Sequence, residues 1–240
     1  MIRLTSFSAS ASNGTATVDG STLTVTPSAD FNGDVIVSVT ASDGSLTDSG
    51  SFTLDVTPVN DAPVVDAITD QVIDEDGSLT LELSGSDVDG DDLTFSASAS
   101  NATATVDGIV LTVTPAADYN GTIIVSVTAN DGALDGVGSF ILEVTPVNDA
   151  PVVATISDQV IDEDSSLTLE LSASDIDGDA VTFGVYVDNG SATVDGTALT
   201  VTPAADYNGD ITVTVSASDG TLSGTDTFIL TVTPVNDAPV

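Results

Sequence analysis

Apolar and polar residues alternate one by one along most of this chain, in short runs separated by Gly, Asp, Asn and Pro. The stretch from Ser78 to Pro146 shows the pattern at its clearest, in SLTLELS, LTFSASA, ATATVDGIVLTVTP, TIIVSVTANDG and GSFILEVTP. Period-two alternation in runs rich in Val, Ile and Thr predicts half-buried antiparallel strands, each with one face toward a core and one toward water. No segment keeps a helical period. In TATVDGIVLTV the Asp-Gly step predicts a tight hairpin, with Asp and Gly as the two central residues of a type I′ turn. Asp19, Asp107 and Asp195 are accordingly expected to be turn formers.

The alternation itself repeats. The hexapeptide VNDAPV begins at Val59, Val147 and Val235, a spacing of 88 residues each time. Phe7, Phe95 and Phe183 share one position of that period, and Pro27, Pro115 and Pro203 share another. Fixed-period self-similarity means one structural unit used several times. The expected domains are 1–58 (the last part of a repeat), 59–146 and 147–234 (complete repeats), and 235–240 (the start of a following repeat or linker). Met1-Ile2-Arg3 reads as a start placed ahead of a repeat already under way. About seven strands per repeat, with a turn every 8–12 residues, predicts an all-β fold of tandem Ig-like Greek-key sandwiches set end to end.

Composition then narrows function. There are 38 acidic residues against one basic residue, a formal charge of −37, and neither Cys, His, Trp nor Lys. Such a charge usually accompanies disorder, but 41% of the residues are hydrophobic and they alternate in register. One arginine cannot neutralise a row of phosphates, so nucleic-acid binding is excluded. No apolar run is long enough to span a membrane. Without His or Cys there is no Ser–His or Cys–His nucleophile, and no zinc-type cluster. Two carboxylates at glycosidase spacing will occur by chance among 38 acids, but no cleft-forming insertion accompanies them, so no enzyme is expected. Aromatics make up 4% of the chain, which offers little platform for stacking on sugars. Asn13, Asn101 and Asn189 head N-x-S/T sequences, which are glycosylation acceptors where the machinery exists.

The acids recur in sets near strand ends: N-D in VNDAP, D-E-D in VIDED, D-x-D-G-D in SDVDGD and SDIDGD, D-Y-N-G before one strand, and A-S-D-G or A-N-D-G after it. In a sandwich the strand ends lie at two poles. Carboxylates gathered at a pole repel unless a hard cation joins them, and Ca²⁺ takes six to eight oxygen ligands. The bland reading is that Asp-Gly and Asn-Asp-Ala-Pro are ordinary turn and linker chemistry. An EF-hand is excluded, because Asp92 and Ser98 stand where that loop needs Gly and Glu. Tyr119 and Tyr207 suggest the tyrosine corner of Ig sandwiches, although Phe31 at the same position lacks the hydroxyl.

The order V-x-E-D-x-S-L-T-L-x-L-S-A-S-D-x-D-G-D, then V-S-A-S-D-G, then V-T-P-V-N-D-A-P, resembles a cadherin repeat. More narrowly, it resembles the cadherin-like tandem repeats of large bacterial surface adhesins, across essentially the whole chain. That resemblance implies an Ig-like fold with Ca²⁺ at each join. Carried over, the join at residue 147 would use Glu75, Asn148, Asp149, Asp175, Asp177 and Asp219, with the Ala150 carbonyl. The join at residue 59 would use Asn60, Asp61, Asp87, Asp89 and Asp131. Glu163, Asn236 and Asp237 occupy the same positions one period on. The animal family's D-R-E segment is replaced here by A-A-D-Y-N-G, where Asp118 or Asn120 would substitute. The implied function is a calcium-stiffened extender segment of a secreted or cell-surface adhesin or fibre, partnered by its own neighbouring repeats and by identical chains in a fibre. The alternative is a homophilic or carbohydrate-binding module.

Overall fold

The computed structural model describes residues 6–236, and every regular element among them is a β-strand. The first five are β1 (Ser6–Ala11), β2 (Thr15–Asp19), β3 (Thr22–Thr26), β4 (Gly33–Ser42) and β5 (Thr47–Val56). Nine follow: β6 (Val64–Val65), β7 (Gln71–Asp74), β8 (Leu79–Glu82), β9 (Gly85–Ser86), β10 (Thr94–Ala99), β11 (Ala102–Asp107), β12 (Val110–Pro115), β13 (Gly121–Asn130) and β14 (Asp135–Thr145). A second set of nine repeats them: β15 (Val152–Val153), β16 (Gln159–Asp162), β17 (Leu167–Glu170), β18 (Ala173–Ser174), β19 (Thr182–Val187), β20 (Ser191–Asp195), β21 (Ala198–Thr202), β22 (Gly209–Ser218) and β23 (Ser223–Thr233). Each set of nine is seven longer strands plus a two-residue pair. The chain forms two compact units, 1–145 and 146–240.

In the first unit β10-β13-β14-β7 form one sheet and β11-β12-β8 the other. β7 runs parallel to β14, pairing Leu142 with Gln71 and Thr145 with Asp74, whereas the remaining pairs are antiparallel. Alternation does the sorting. Ile123, Val125 and Val127 of β13, with Phe140, Leu142 and Val144 of β14, face Leu83, Leu111 and Val113 of the opposite side. Their polar neighbours in the strand face outward, as a two-residue side-chain period requires. The second unit repeats this with β16-β23-β22-β19 against β17-β21-β20, around Leu199, Val201, Ile211, Val213, Phe228 and Leu230. Stripes of β-branched and leucine side chains, each wholly buried, supply the main drive to fold.

Residues 6–56 contribute only β1-β4-β5 and β2-β3. Phe52 sits at the position of Phe140 and Phe228, yet it is 47% exposed where those two are 3% and 1%. Among the described residues no strand covers it as β7 and β8 cover their own sheets.

The hairpin expectation needs a correction. Asp107 is the last residue of β11, paired with Val110, so the central residues are Gly108 and Ile109. Gly108 has φ +62°, and Ile109 is not among the residues of positive φ. A single positive φ at the first central position belongs to a II′-type turn rather than I′. The same holds at Gly20 and Gly196. The physical reason is Ile109, Ser21 and Thr197: none is Gly, Asn or Asp, so the Cβ of each resists the left-handed backbone that I′ would demand. Asp19, Asp107 and Asp195 remain flanking residues of these turns.

Candidate metal centre

Each complete repeat gathers acids at both ends. At the leading end of the first unit's full sandwich, Asn60 and Asp61 precede β6, the loop after β9 carries Asp87 and Asp89, and Asp131 opens the turn between β13 and β14. The folding of the loop explains the spacing. Asp87 Oδ1 accepts the backbone N–H of Asp89 at 2.8 Å and of Gly90 at 3.1 Å, an Asx turn that reverses the chain. Asp89 Oδ2 then accepts the N–H of Asp61 at 2.8 Å, tying the loop to the linker. Asn60 Nδ2 donates to Asp131 Oδ2 at 2.8 Å, and Asp131 Oδ1 accepts from Ala133 and Leu134. These five predicted residues therefore converge.

The second unit repeats the arrangement without help from the first. Asp177 and Asp179 N–H donate to Asp175 Oδ1 at 3.0 and 3.2 Å. Asp149 N–H donates to Asp177 Oδ2 at 2.8 Å, and Asn148 Nδ2 to Asp219 Oδ2 at 2.8 Å. Carboxylate oxygens of Asp149 and Asp177 lie within 4.8 Å of each other.

In these loops one carboxylate oxygen does the backbone's work while the other stays available. Asp87 Oδ2 and Asp175 Oδ2 are buried with no hydrogen-bond partner. A buried carboxylate oxygen without a partner is costly, since the charge has lost water and gained nothing. The sequence holds no Lys or His, and its one Arg is Arg3, which lies outside the described residues. An oxygen-seeking cation fits such a donor set of carboxylates, Asn amide and backbone carbonyls.

Electrostatics differ slightly between the two copies. The Asp131 carboxyl is held below its ordinary value, first by the Leu134 N–H and then by the Asn60 amide. Asp219 is lowered too, but there the Asn148 amide is the largest cause, followed by the Thr221 and Leu222 N–H groups. Donors aimed at a carboxylate favour its charged form.

The trailing end of the first unit holds a second group. Glu75 follows β7 and is only 4% exposed; its Oε2 accepts the Asn120 amide at 3.2 Å. Asp118 has φ +54° in the turn before β13, and its N–H meets Asp76 Oδ1 at 3.5 Å. Carboxylate oxygens of Asp76 and Asp118 lie within 4.8 Å of each other. Glu163 repeats Glu75 at 8% exposed, with Oε1 accepting the Val235 N–H at 2.6 Å. Asn236 is exposed, and Asp237 lies outside the described residues. Asp76 and Asp164 were not singled out as ligands in the sequence; the signal was the second Asp of D-E-D, and both adopt φ +61°. Tyr119 and Tyr207 hydrogen-bond within their own turns, to the Thr122 and Asp210 carbonyls.

Within the first unit the trailing end of residues 6–58 also meets the leading end of the following sandwich. A cleft of about 300 Å³ there is lined by Asp30, Phe31, Asn32, Pro58, Val59, Asp61 and Asp89 among others. Asp30 and Asn32 stand at the positions of Asp118 and Asn120.

Fold and sites together define a chain of tandem Ig-like sandwiches with acidic poles. The chain belongs to the bacterial Ig domain family, which it matches over residues 60–139 and 148–233. Residues 1–57 match a cadherin-like domain. A chitinase A of Pseudoalteromonas piscicida is 32% identical over 165 residues, 64% of this chain but only 20% of that enzyme. Mouse protocadherin-24 EC1-3 superposes with TM-score 0.49 at 14% identity, covering 97% of this chain and 91% of that one. An endo-fucoidan hydrolase of glycoside hydrolase family 107 gives 0.37 at 19% identity, covering 95% of this chain and 39% of its own. Neither superposition is close enough to carry a reading of this chain. No helix among the described residues is long and apolar enough to cross a membrane.

Proposed function

We propose that this chain is a calcium-stiffened extender segment of a secreted or cell-surface bacterial protein, an adhesin or fibre, with no catalytic role of its own. The observation that carries the reading is the cleft in the first unit, where Asp30 and Asn32 from one side and Asp61 and Asp89 from the other share one space of about 300 Å³. Three carboxylates and the Asn32 amide, drawn from the two sides, would gather around a Ca²⁺, and the carboxylates would repel one another without it. One 88-residue period on, Asp118, Asn120, Asp149 and Asp177 occupy the corresponding sequence positions. Bound calcium would supply the positive charge that the side chains lack and hold successive repeats at a fixed angle.

Calcium titration by calorimetry, followed by small-angle scattering with calcium, with chelator, and with chelator plus salt, tests this. Calcium should bind and lengthen the particle. Salt should relieve part of the repulsion, because the Debye length is about 8 Å at physiological strength, without restoring a fixed length. An unchanged maximum dimension on chelation would remove the cause proposed here. A second reading is favoured by the match to one fifth of a chitinase: the same stiffened repeats would act as a spacer within a longer secreted hydrolase.

A further inference from the structure

The three repeats are near copies, so the place where one departs on a single surface is informative. On the outer face of the larger sheet, one row of side chains crosses the first three strands. It reads Ser10–Ser38–Ser51 in the opening segment and Ser98–Ser126–Ser139 in the first complete repeat. In the second complete repeat the same row is Tyr186–Thr214–Thr227. The adjoining row differs as well: Ser8–Thr40–Ser49 and Ser96–Thr128–Val137 correspond to Gly184–Ser216–Thr225.

These substitutions build a feature. Tyr186 is 68% exposed on β19, an edge strand of its sheet, while Phe183, Val185 and Val187 of the same strand pack on the core. The ring thus does no work in folding. Gly184 makes room for the Ser216 hydroxyl, which lies over it: a Cβ there would stand 2.7 Å from that oxygen. The result is one aromatic face beside hydroxyls from Ser216, Thr214, Thr225 and Thr227. The Thr214 and Thr227 hydroxyls lie 3.4 Å apart. In a chain of charge −37 these two rows contain no carboxylate. Of the acids next to these strands, Asp226 accepts the Ile156 N–H and Asp188 the Thr212 N–H.

We propose that this face of the second complete repeat binds a neutral polysaccharide. An aromatic ring carries a negative face, on which the weakly positive C–H face of a sugar settles. Ser and Thr hydroxyls both donate and accept, which matches the alternating hydroxyls of a glycan. Charge selects among glycans: the field of the whole chain repels polyanionic ones and leaves neutral ones unhindered. The site owes nothing to the calcium reading, since none of its residues lies at a pole.

The test is retention of the full chain on insoluble cellulose, mannan and β-1,3-glucan, with alginate as the polyanionic comparison, in chelator and in calcium alike. Retention on at least one neutral glycan and none on alginate is expected. Tyr186→Ser, which restores the serine of the other repeats, should weaken apparent affinity about tenfold, the size of a lost aromatic contact. Its melting temperature should stay unchanged, because the ring is outside the core. Gly184→Ser should weaken retention by displacing the Ser216 hydroxyl, which a Cβ at 184 would crowd. Absence of retention on all three neutral glycans overturns the proposal, as does equal retention by Tyr186→Ser. A change in the sedimentation of Tyr186→Ser without any glycan would assign the ring to contacts between copies and equally overturn it.

Discussion

Asp175 offers the sharpest separation of loop building from cation binding, because its two carboxylate oxygens stand in different surroundings. Oδ1 accepts two backbone N–H groups, and Oδ2 is buried without a partner. Asp175→Asn keeps an acceptor for the loop but removes the charge, whereas Asp175→Ala removes both. In chelator the Ala variant should lose about 1–3 kcal/mol, the worth of two hydrogen bonds at about 0.5–1.5 each. The Asn variant should melt no lower than the parent in chelator, since a buried neutral amide is less costly than a buried lone charge. Calcium reverses the order. At a free concentration about 1,000 times Kd, binding adds about 4.1 kcal/mol, and a site weakened about a hundredfold adds about 1.4. The difference of about 2.7 kcal/mol amounts to about 10–20 °C in the melting of one repeat of this size. Differential scanning calorimetry of both variants, with and without calcium, reads the two effects separately. If Asp175→Asn shows the parent's full calcium response, the partnerless oxygen is not a ligand and the assignment of this pole fails.

Three further outcomes follow from the geometry. Phe140→Ala should cost about 3–5 kcal/mol in urea unfolding, as a buried aromatic does, and Phe52→Ala less than half as much, because Phe52 is already 47% exposed; equal losses would show that residues 6–56 bury their core as the complete repeats do. Gly224→Ala should destabilise the second unit by about 2–3 kcal/mol, since its Cβ would collide with the Pro151 carbonyl oxygen; unchanged stability would mean that β15 is not held against β23. Without calcium, Asp131 and Asp219 stabilise the fold fully above the unfolded carboxylate value of about 3.9, and that contribution disappears as pH falls through their lowered folded values; carboxyl NMR titration should show Asn148→Ala raising Asp219 and Asn60→Ala raising Asp131, and an unmoved carboxyl would mean that its amide donor is not engaged in solution.

Strand positions were readable from alternation alone because each strand has one dry face, and a one-residue slip would turn Val125 or Leu142 into water. Turn geometry was readable only in part. The dipeptide Asp-Gly marks a hairpin, but which of its residues takes the positive φ depends on Ile109 and the pairing of Asp107 with Val110, which is a matter of register rather than composition. The poles show a different limit. Sequence can say that Asp87 and Asp175 recur at one position, and both the turn reading and the ligand reading predict that recurrence. Only the folded loop divides the carboxylate, with Oδ1 committed to the backbone and Oδ2 left over. The approach of Asp76 to Asp118 is illegible in sequence for a related reason: Asp118 lies on a distant turn, and the contact depends on left-handed backbone at both residues.

Repetition constrains these surfaces unequally. A core position such as Val125 or Val213 answers to close packing, where an added methylene must displace a neighbour. A pole position such as Asp89 or Asp177 answers both to its own loop and to the linker N–H it accepts. Neither can drift in one repeat without breaking it. The outer row of the larger sheet answers to neither. Ser98 is exposed, and its counterpart Tyr186 is aromatic while β19 keeps the same register against β22. A chain built from copies can therefore hold its mechanical properties constant in the poles and vary recognition on the sheet faces. A cation-dependent scaffold and a cation-independent binding face should be separable by mutation: substitutions at Asp175 should leave glycan retention intact in chelator, and Tyr186→Ser should leave the calcium-dependent melting shift intact.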